Sequence, residues 1–214
     1  MGRRIVIVGN GDIPDGVAET IDAADLVIRF NECRSFGRGG SRTDVLAVCN
    51  TGRPALAMLS SAEWRQSRPV LDCSAIWSVR DPGKFRELHP YLMADHPELD
   101  DFCDDYTGDL AAFAVDNGKS HSVIDRDIHE SLDDALIAHE PGDYIVPSSG
   151  MVVIGHILAS RDFAGDTVSL TGFGHQGWSG HPFAAERRLV DSYVTAGRLT
   201  RLSQADFISP SQGA

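Results

Sequence analysis

Residues 5–8 are Ile-Val-Ile-Val, and they run straight into Gly9-Asn10-Gly11. An unbroken β-branched run leaves no polar face, so such a strand belongs in a sheet covered on both sides. The Gly-Asn-Gly turn at its end reads as a ligand-facing loop, because glycine lets backbone N–H groups approach an anion closely. Further apolar runs at 26–30, 44–49, 71–79, 144–146 and 167–171 read as strands. Helical patterns fall near 15–20, 54–60, 98–115, 131–139, 150–159 and 182–197. This alternation predicts an α/β fold, a mostly parallel sheet with helices on both faces. In such folds ligands bind beyond the carboxyl ends of the strands. Asn10, Asn31, Asn50 and the Gly172 turn all fall at such ends and are grouped as one site.

The connecting segments are less regular. Arg34 to Arg42 carries Gly37, Gly39 and Gly40 and reads as a mobile basic loop. Arg80-Asp81-Pro82-Gly83 reads as a turn that ends a strand, and 84–97, with Pro90 and Pro97, as irregular or loosely helical. Ser209 to Ala214 reads as a frayed tail.

At 214 residues and 42% hydrophobic content the chain is sized for one domain with an ample core. Its net charge of −12 is unevenly placed. Residues 91–143 hold 2 Lys+Arg against 15 Asp+Glu, while 1–90 hold 12 against 11 and 144–214 hold 5 against 5. The acidic stretch reads as a solvated face, and segment 81–143 as the region able to supply a lid or an acceptor surface. No basic patch points to nucleic acid. The apolar run after Arg3 and Arg4 ends at Val8, too short for a signal peptide or a membrane span. Cys33, Cys49, Cys73 and Cys103 then suggest free thiols in a cytoplasmic protein. The cysteines and histidines lack metal-ligand spacing, so no metal is expected.

Two later segments carry the strongest chemical signals. Pro147-Ser148-Ser149-Gly150-Met151 precedes an apolar run and reads as a Ser-rich helix start. Ser148, Ser149 and Gly150 there offer hydroxyls and amides to phosphate or carboxylate oxygens, with helix capping as the plain alternative for Ser149. Gly180-His181-Pro182 precedes an amphipathic run, and Pro182 suits the first helical position, which puts His181 at the cap. The positive end of a helix favours neutral imidazole, which serves as a general base near pH 7 or simply as a cap. Glu186 reads as a structural carboxylate holding a helix start or a loop amide. Trp178 reads as a platform for a sugar or as core.

Taken in order, Val8-Gly9-Asn10, Arg29-Phe30-Asn31, Pro147 to Met151, Gly172-Phe173-Gly174 and His181 to Glu186 resemble the motifs of the sialyltransferases that use a CMP-sugar donor. Asn50 is similar to a further asparagine in a compact bacterial branch of those enzymes. The resemblance covers roughly 5–51 and 144–202, and it departs in the short Gly174 to Gly180 spacer. The whole chain also resembles small bacterial proteins called urease operon accessory proteins. Nothing in the residues supports nickel handling, and Gly9-Asn10-Gly11 lacks the Gly-Lys-Ser/Thr ending of a P-loop.

The first resemblance implies a Rossmann-like, GT-A-like single domain and metal-independent transfer of sialic acid or a related acidic sugar from a CMP-sugar to a carbohydrate or small-molecule acceptor. His181 would be the base. Gly9, Asn10, Gly11, Asn31, Asn50, Ser148, Ser149, Gly150, Gly172 and His175 would bind the donor. No cofactor beyond the donor is implied, and the oligomeric state is open. Two rival readings stand beside it: a non-catalytic nucleotide-binding accessory protein, and a CMP-sugar hydrolase that uses His181 to activate water.

Overall fold

The computed structural model describes residues 2–202; the tail expected at 209–214 lies outside the described residues. Seven strands form one sheet: β1 (Arg4–Val8), β2 (Leu26–Phe30), β3 (Val45–Val48), β4 (Ala75–Ser78), β5 (Ser120–Val123), β6 (Thr167–Thr171) and β7 (Thr200–Arg201). Their order is β5-β4-β3-β2-β1-β6-β7, and every neighbouring pair is parallel. The chain steps outward from β1 to β5 and then returns to the other side of β1. The strand order therefore reverses between β1 and β6, where a ligand crevice opens in sheets of this kind.

The helices are α1 (Ala18–Asp22), α2 (Gly52–Ser60), α3 (Ala62–Gln66), α4 (Arg68–Asp72), α5 (Pro82–Asp95), α6 (Thr107–Asp116), α7 (Arg126–Ile137), α8 (Ser149–Ala159) and α9 (Phe183–Thr195). Alternate strand residues feed opposite faces, as the two-residue period requires. Ile5 and Ile7 of β1 join Leu132, Val153, Ile157 and Leu189 from α7, α8 and α9. Val6 and Val8 pack with Val17 and Ile21 near α1. Leu46 and Val48 of β3 meet Met58, Trp64, Val70 and Leu110 on that second face. Helices thus cover both faces, the mostly parallel α/β arrangement predicted above.

Several expected elements differ. The run 71–79 is not one strand: Ser67 and Pro69 open α4, and only Ala75–Ser78 extends. The strand does end before Arg80, as expected, but Pro82 and Gly83 already open the next helix. The Asp81 side chain accepts from the Lys84 N–H at 2.7 Å and caps a regular fourteen-residue α5. Pro90 is tolerated inside α5 because it and Arg86 are exposed, so the freed carbonyl meets water. Between Pro97 and Tyr106 the chain forms a 3₁₀ turn and bends, so the helix expected from 98 begins only at Thr107. Tyr144 to Val146 is not a strand; the Ile145 and Val146 amides both point at the Gly180 carbonyl. The edge strands β5 and β7 carry little apolar patterning and were not expected. The basic 34–42 loop is tied down: Arg29, fully buried, donates to the carbonyls of Arg42, Gly39 and Gly40.

No helix among the described residues is long and apolar enough to cross a membrane.

Candidate functional site

At the carboxyl ends of β1, β2 and β6 lies a cleft of about 510 Å³. Its walls include Asn10, Asn31, Ser149, Gly150, His175 and His181. Gly9, Gly11, Ser148 and Gly172 line it too. Asn50 does not. It is fully buried, its Oδ1 accepting the Arg80 N–H and its Nδ2 donating to the Arg80 carbonyl and Thr107 Oγ1. With its amide spent on splicing β3 to the loop after β4, Asn50 has nothing left for a ligand.

The glycines act differently from the expectation. Gly9 N–H donates to the Thr171 carbonyl and Gly11 N–H to the Gly172 carbonyl, both at 2.8 Å. These amides are consumed within the protein and cannot cradle an anion. The glycines instead let the chain after β1 press against the chain after β6, where Gly172 has φ +72°. Asn10 is also largely engaged, through Nδ2 to the Phe30 carbonyl and through Oδ1 to the Arg34 N–H. Asn31 sits in the left-handed region at φ 50° and accepts the Cys49 N–H through Oδ1. Its side-chain NH₂ remains for a ligand.

The start of α8 is the most developed part of the cleft. Ser148, not Ser149, is its N-cap, accepting from the Met151 N–H. Glu186, 1% exposed, accepts from both the Ser148 N–H (2.6 Å) and Ser148 Oγ (2.7 Å). This is the structural role read for that carboxylate. Burial raises its pKa, against the lowering effect of the two Ser148 bonds. With Ser148 and Met151 N–H satisfied, the Ser149 and Gly150 amides have no acceptor among the described residues, and neither does Ser149 Oγ. A Cβ on Gly150 would lie 2.6 Å from the Phe173 ring, so glycine keeps that backbone open.

His181 is not a helix cap. Pro182, at ψ 54°, takes the N-cap position and α9 begins at Phe183. The Nδ1–H of His181 donates to the Val146 carbonyl at 2.8 Å, since a carbonyl only accepts. Trp178 and Phe183 flank the ring edge-on at 4.9 and 5.3 Å. Burial, and the nearby Arg80, keep its pKa below the usual imidazole range despite the Val146 bond. It is therefore neutral, with the Nε2 lone pair free. Trp178 stacks obliquely on Phe102 at 5.3 Å and is 37% exposed, so it is a wall of the site more than core.

His175, at φ 48°, stands at the other end of the cleft, with Nε2 3.4 Å from Arg201. Burial, with Arg201 and Arg187 adding to it, pulls its pKa from 6.5 to about 4. Because folding depresses this pKa, the group's stability contribution is present above about pH 6.5 and is lost as pH falls toward about 4. Discounted for partial exposure, the loss is about 1–2 kcal/mol. Urea unfolding across that range should show a shallower acid-side decline for His175→Gln than for wild type. Parallel declines would contradict the burial account.

Among the described residues no group of three or more His, Cys, Asp or Glu side chains converges to hold a metal ion. The four cysteines are free thiols, Cys33, Cys49 and Cys73 buried.

No protein-family model matches the chain. The urease operon 23 kDa accessory protein of Rhizobium meliloti (strain 1021) is 54% identical over 213 residues, covering 100% of this chain and 99% of that one. The chain belongs to this urease operon accessory protein family. Solved structures of a sialyltransferase share its fold. A CMP complex of a CstII variant superposes with TM-score 0.55 at 12% identity, covering 99% of this chain and 88% of that one. CstII from Campylobacter jejuni with CMP-3FNeuAc gives TM-score 0.51 at 14% identity, covering 96% and 84%. At such identities the likeness is one of fold alone. The expectation of an enzyme that transfers a sugar from a CMP-sugar donor is therefore corrected. The full-length relative is an accessory protein, and the likeness to sialyltransferases is one of fold. For this accessory protein the motif residues are positions in a cleft, and His181 is not assigned as a catalytic base.

The sequence reading missed one member of the site. Arg80, directly after β4, lines a smaller neighbouring cavity with Asn31, Ser149 and His181. Its one sequence signal was position, an arginine just past the carboxyl end of a strand.

Proposed function

We propose that this protein is a non-catalytic accessory protein of the urease operon type, whose cleft holds a cytidine nucleotide of the CMP class. In this reading the chain is one Rossmann-like, GT-A-like α/β domain in the cytoplasm. The observation that carries it is the start of α8: two backbone amides and one hydroxyl without acceptors among the described residues, at the positive end of an eleven-residue helix, facing a 510 Å³ cleft. That arrangement suits a phosphate group. The Asn31 NH₂ and His181 Nε2 supply a neutral donor and a neutral acceptor for ribose or base. CMP-bound neighbours of the same fold support the choice of nucleotide. The acidic segment 81–143 contributes Leu99, Asp101 and Phe102 beside the cleft, a place for a covering element.

Calorimetric titration with CMP, AMP and GMP in chelating buffer tests the reading. CMP should bind most tightly, without metal, and be recovered unchanged. Ser149→Ala should weaken CMP by about ten- to a hundredfold, the worth of one hydrogen bond to a charged group. It should leave the melting temperature unchanged, because Ser148 is the cap. Equal affinity for the three nucleotides, or none for any, would end the proposal.

A further inference from the structure

The smaller cavity, about 360 Å³, shares Asn31, Ser149, Trp178 and His181 with the cleft but has its own floor. That floor is Arg80. Its residue is 8% exposed, and its guanidinium lies against two rings stacked on each other, 4.3 Å from the Phe102 centroid and 4.8 Å from that of Phe85. One donor is used, Nη1 to Thr51 Oγ1. Among the described residues no carboxylate pairs with it. Asp101, the carboxylate that lines the same cavity, is paired with Arg53. Nε and Nη2, the edge of the guanidinium that matches a carboxylate in parallel bonds, have no acceptor among the described residues. Nor are they sealed away. Thr43 Oγ1 and Thr171 Oγ1 are the enclosed side-chain polar atoms without partners among the described residues, so the free guanidinium nitrogens are open to the cavity.

The contrast with Arg29 is informative. Arg29 is more deeply buried, with no exposed surface, yet its nitrogens reach three carbonyls and Ser35 Oγ, and Asp22 is close enough to help hold its charge. The fold satisfies one buried arginine and leaves the other unsatisfied. For Arg80 burial lowers the pKa, and the only groups opposing it are the thiols of Cys49 and Cys103. An uncompensated buried charge is costly, and a ligand that brings the missing anion removes the cost. The first turn of α2 (Gly52, Arg53) and that of α8 (Ser149) also face the cavity, which adds two positive helix ends.

We propose that this cavity is a second ligand site, which takes a small hydroxylated carboxylate. The carboxylate lies on the Nε–Nη2 edge of Arg80. The carbon chain lies against Phe102 and Trp178. Hydroxyls reach Ser149 Oγ, the Asn31 NH₂ and His181 Nε2. The site goes beyond the nucleotide reading and its carboxylate contact does not depend on it, since Arg80 does not line the larger cleft; Ser149, Asn31 and His181 serve both ligands, so saturating CMP should weaken lactate.

Lactate is the probe, with acetate and inorganic phosphate as comparisons, each titrated calorimetrically into the full chain with and without saturating CMP. Lactate should bind more tightly than acetate or phosphate. Arg80→Gln should weaken lactate by about tenfold or more, as loss of a bidentate charged contact implies, and change CMP affinity by less than about twofold, because Arg80 is outside that cleft. Lactate binding with no CMP binding would sink the nucleotide reading and leave this one standing. CMP binding with no lactate binding would do the reverse. Phosphate binding better than either carboxylate would overturn the carboxylate assignment. A melt of Arg80→Met in anion-free buffer gives an independent check. It should melt at or above the wild-type temperature, because an uncompensated charge is removed. A large drop would make Arg80 a structural cation and overturn the proposal.

Discussion

Arg29→Ala is expected to be among the most destabilising single substitutions in this protein, lowering stability by about 4 kcal/mol. The side chain is fully buried and donates to the carbonyls of Arg42, Gly39 and Gly40, and to Ser35 Oγ. Each buried acceptor left without a donor costs roughly 1–3 kcal/mol before relaxation. A large cavity is added to that. For a chain of this size the melting temperature should fall by about 8–16 °C. Arg29→Lys should recover less than half of the loss, because one ammonium cannot serve acceptors that lie around a planar fork. Thermal and urea denaturation of the two variants and wild type measure this. A melting temperature for Arg29→Ala within about 3 °C of wild type would mean that the 34–42 loop is organised by something else.

Gly9→Ala should cost about 3 kcal/mol, the upper range for forcing an atom into a packed site. A Cβ there would lie 2.3 Å from the Gly172 carbonyl oxygen and 2.8 Å from its carbon. That neighbour is backbone, so no rotamer change relieves the clash; β1 and β6 must part. The same strain would open the Gly9–Thr171 and Gly11–Gly172 hydrogen bonds and deform the floor of the cleft. CMP affinity should therefore fall together with stability. Gly108→Ala is the control: a Cβ there meets nothing within 4 Å, and helix propensity favours it by about 0.5–1 kcal/mol. If both alanines melt alike, the close approach of the two strands is not what demands glycine at position 9.

The sialyltransferase-like motifs show how far residues in order can carry a functional reading. They located the cleft, because Gly9-Asn10-Gly11, Asn31, Ser148-Ser149-Gly150 and His181 do meet in one place. They did not determine chemistry. Asn50 matched its motif position and proved to be a buried splice, and the Gly9 and Gly11 amides proved to be occupied. A motif reports which fold positions a residue holds, whereas function rests on which atoms there are left unpaired.

What the amino-acid order determined by itself was the layered α/β architecture and the carboxyl-end location of the site. β1 from Ile5 and β3 are buried on both faces, so each had to be a short uninterrupted apolar run, and such runs are visible without coordinates; β2 keeps the run but for Arg29, and β6 (Thr-Val-Ser-Leu-Thr) shows it only at alternate residues. Helix α8 declares itself through its Ser-rich start and apolar run, and α9 through its apolar periodicity, though its start falls one residue later than Pro182 suggested. The edge strands β5 (Ser-His-Ser-Val) and β7 could be decided only by the tertiary structure. Each pairs on one side only, and partner hydrogen bonds replace apolar patterning there. The tertiary structure also decided the fates of Arg29 and Arg80. Both are arginines near the end of a strand in the sequence. One is filled by loop carbonyls brought in from 39–42, and the other opens on a cavity formed by residues near 31, 51, 102, 149 and 181. Those partners lie far apart along the chain, and hydrogen-bond satisfaction at that range is a property of packing, not of local sequence.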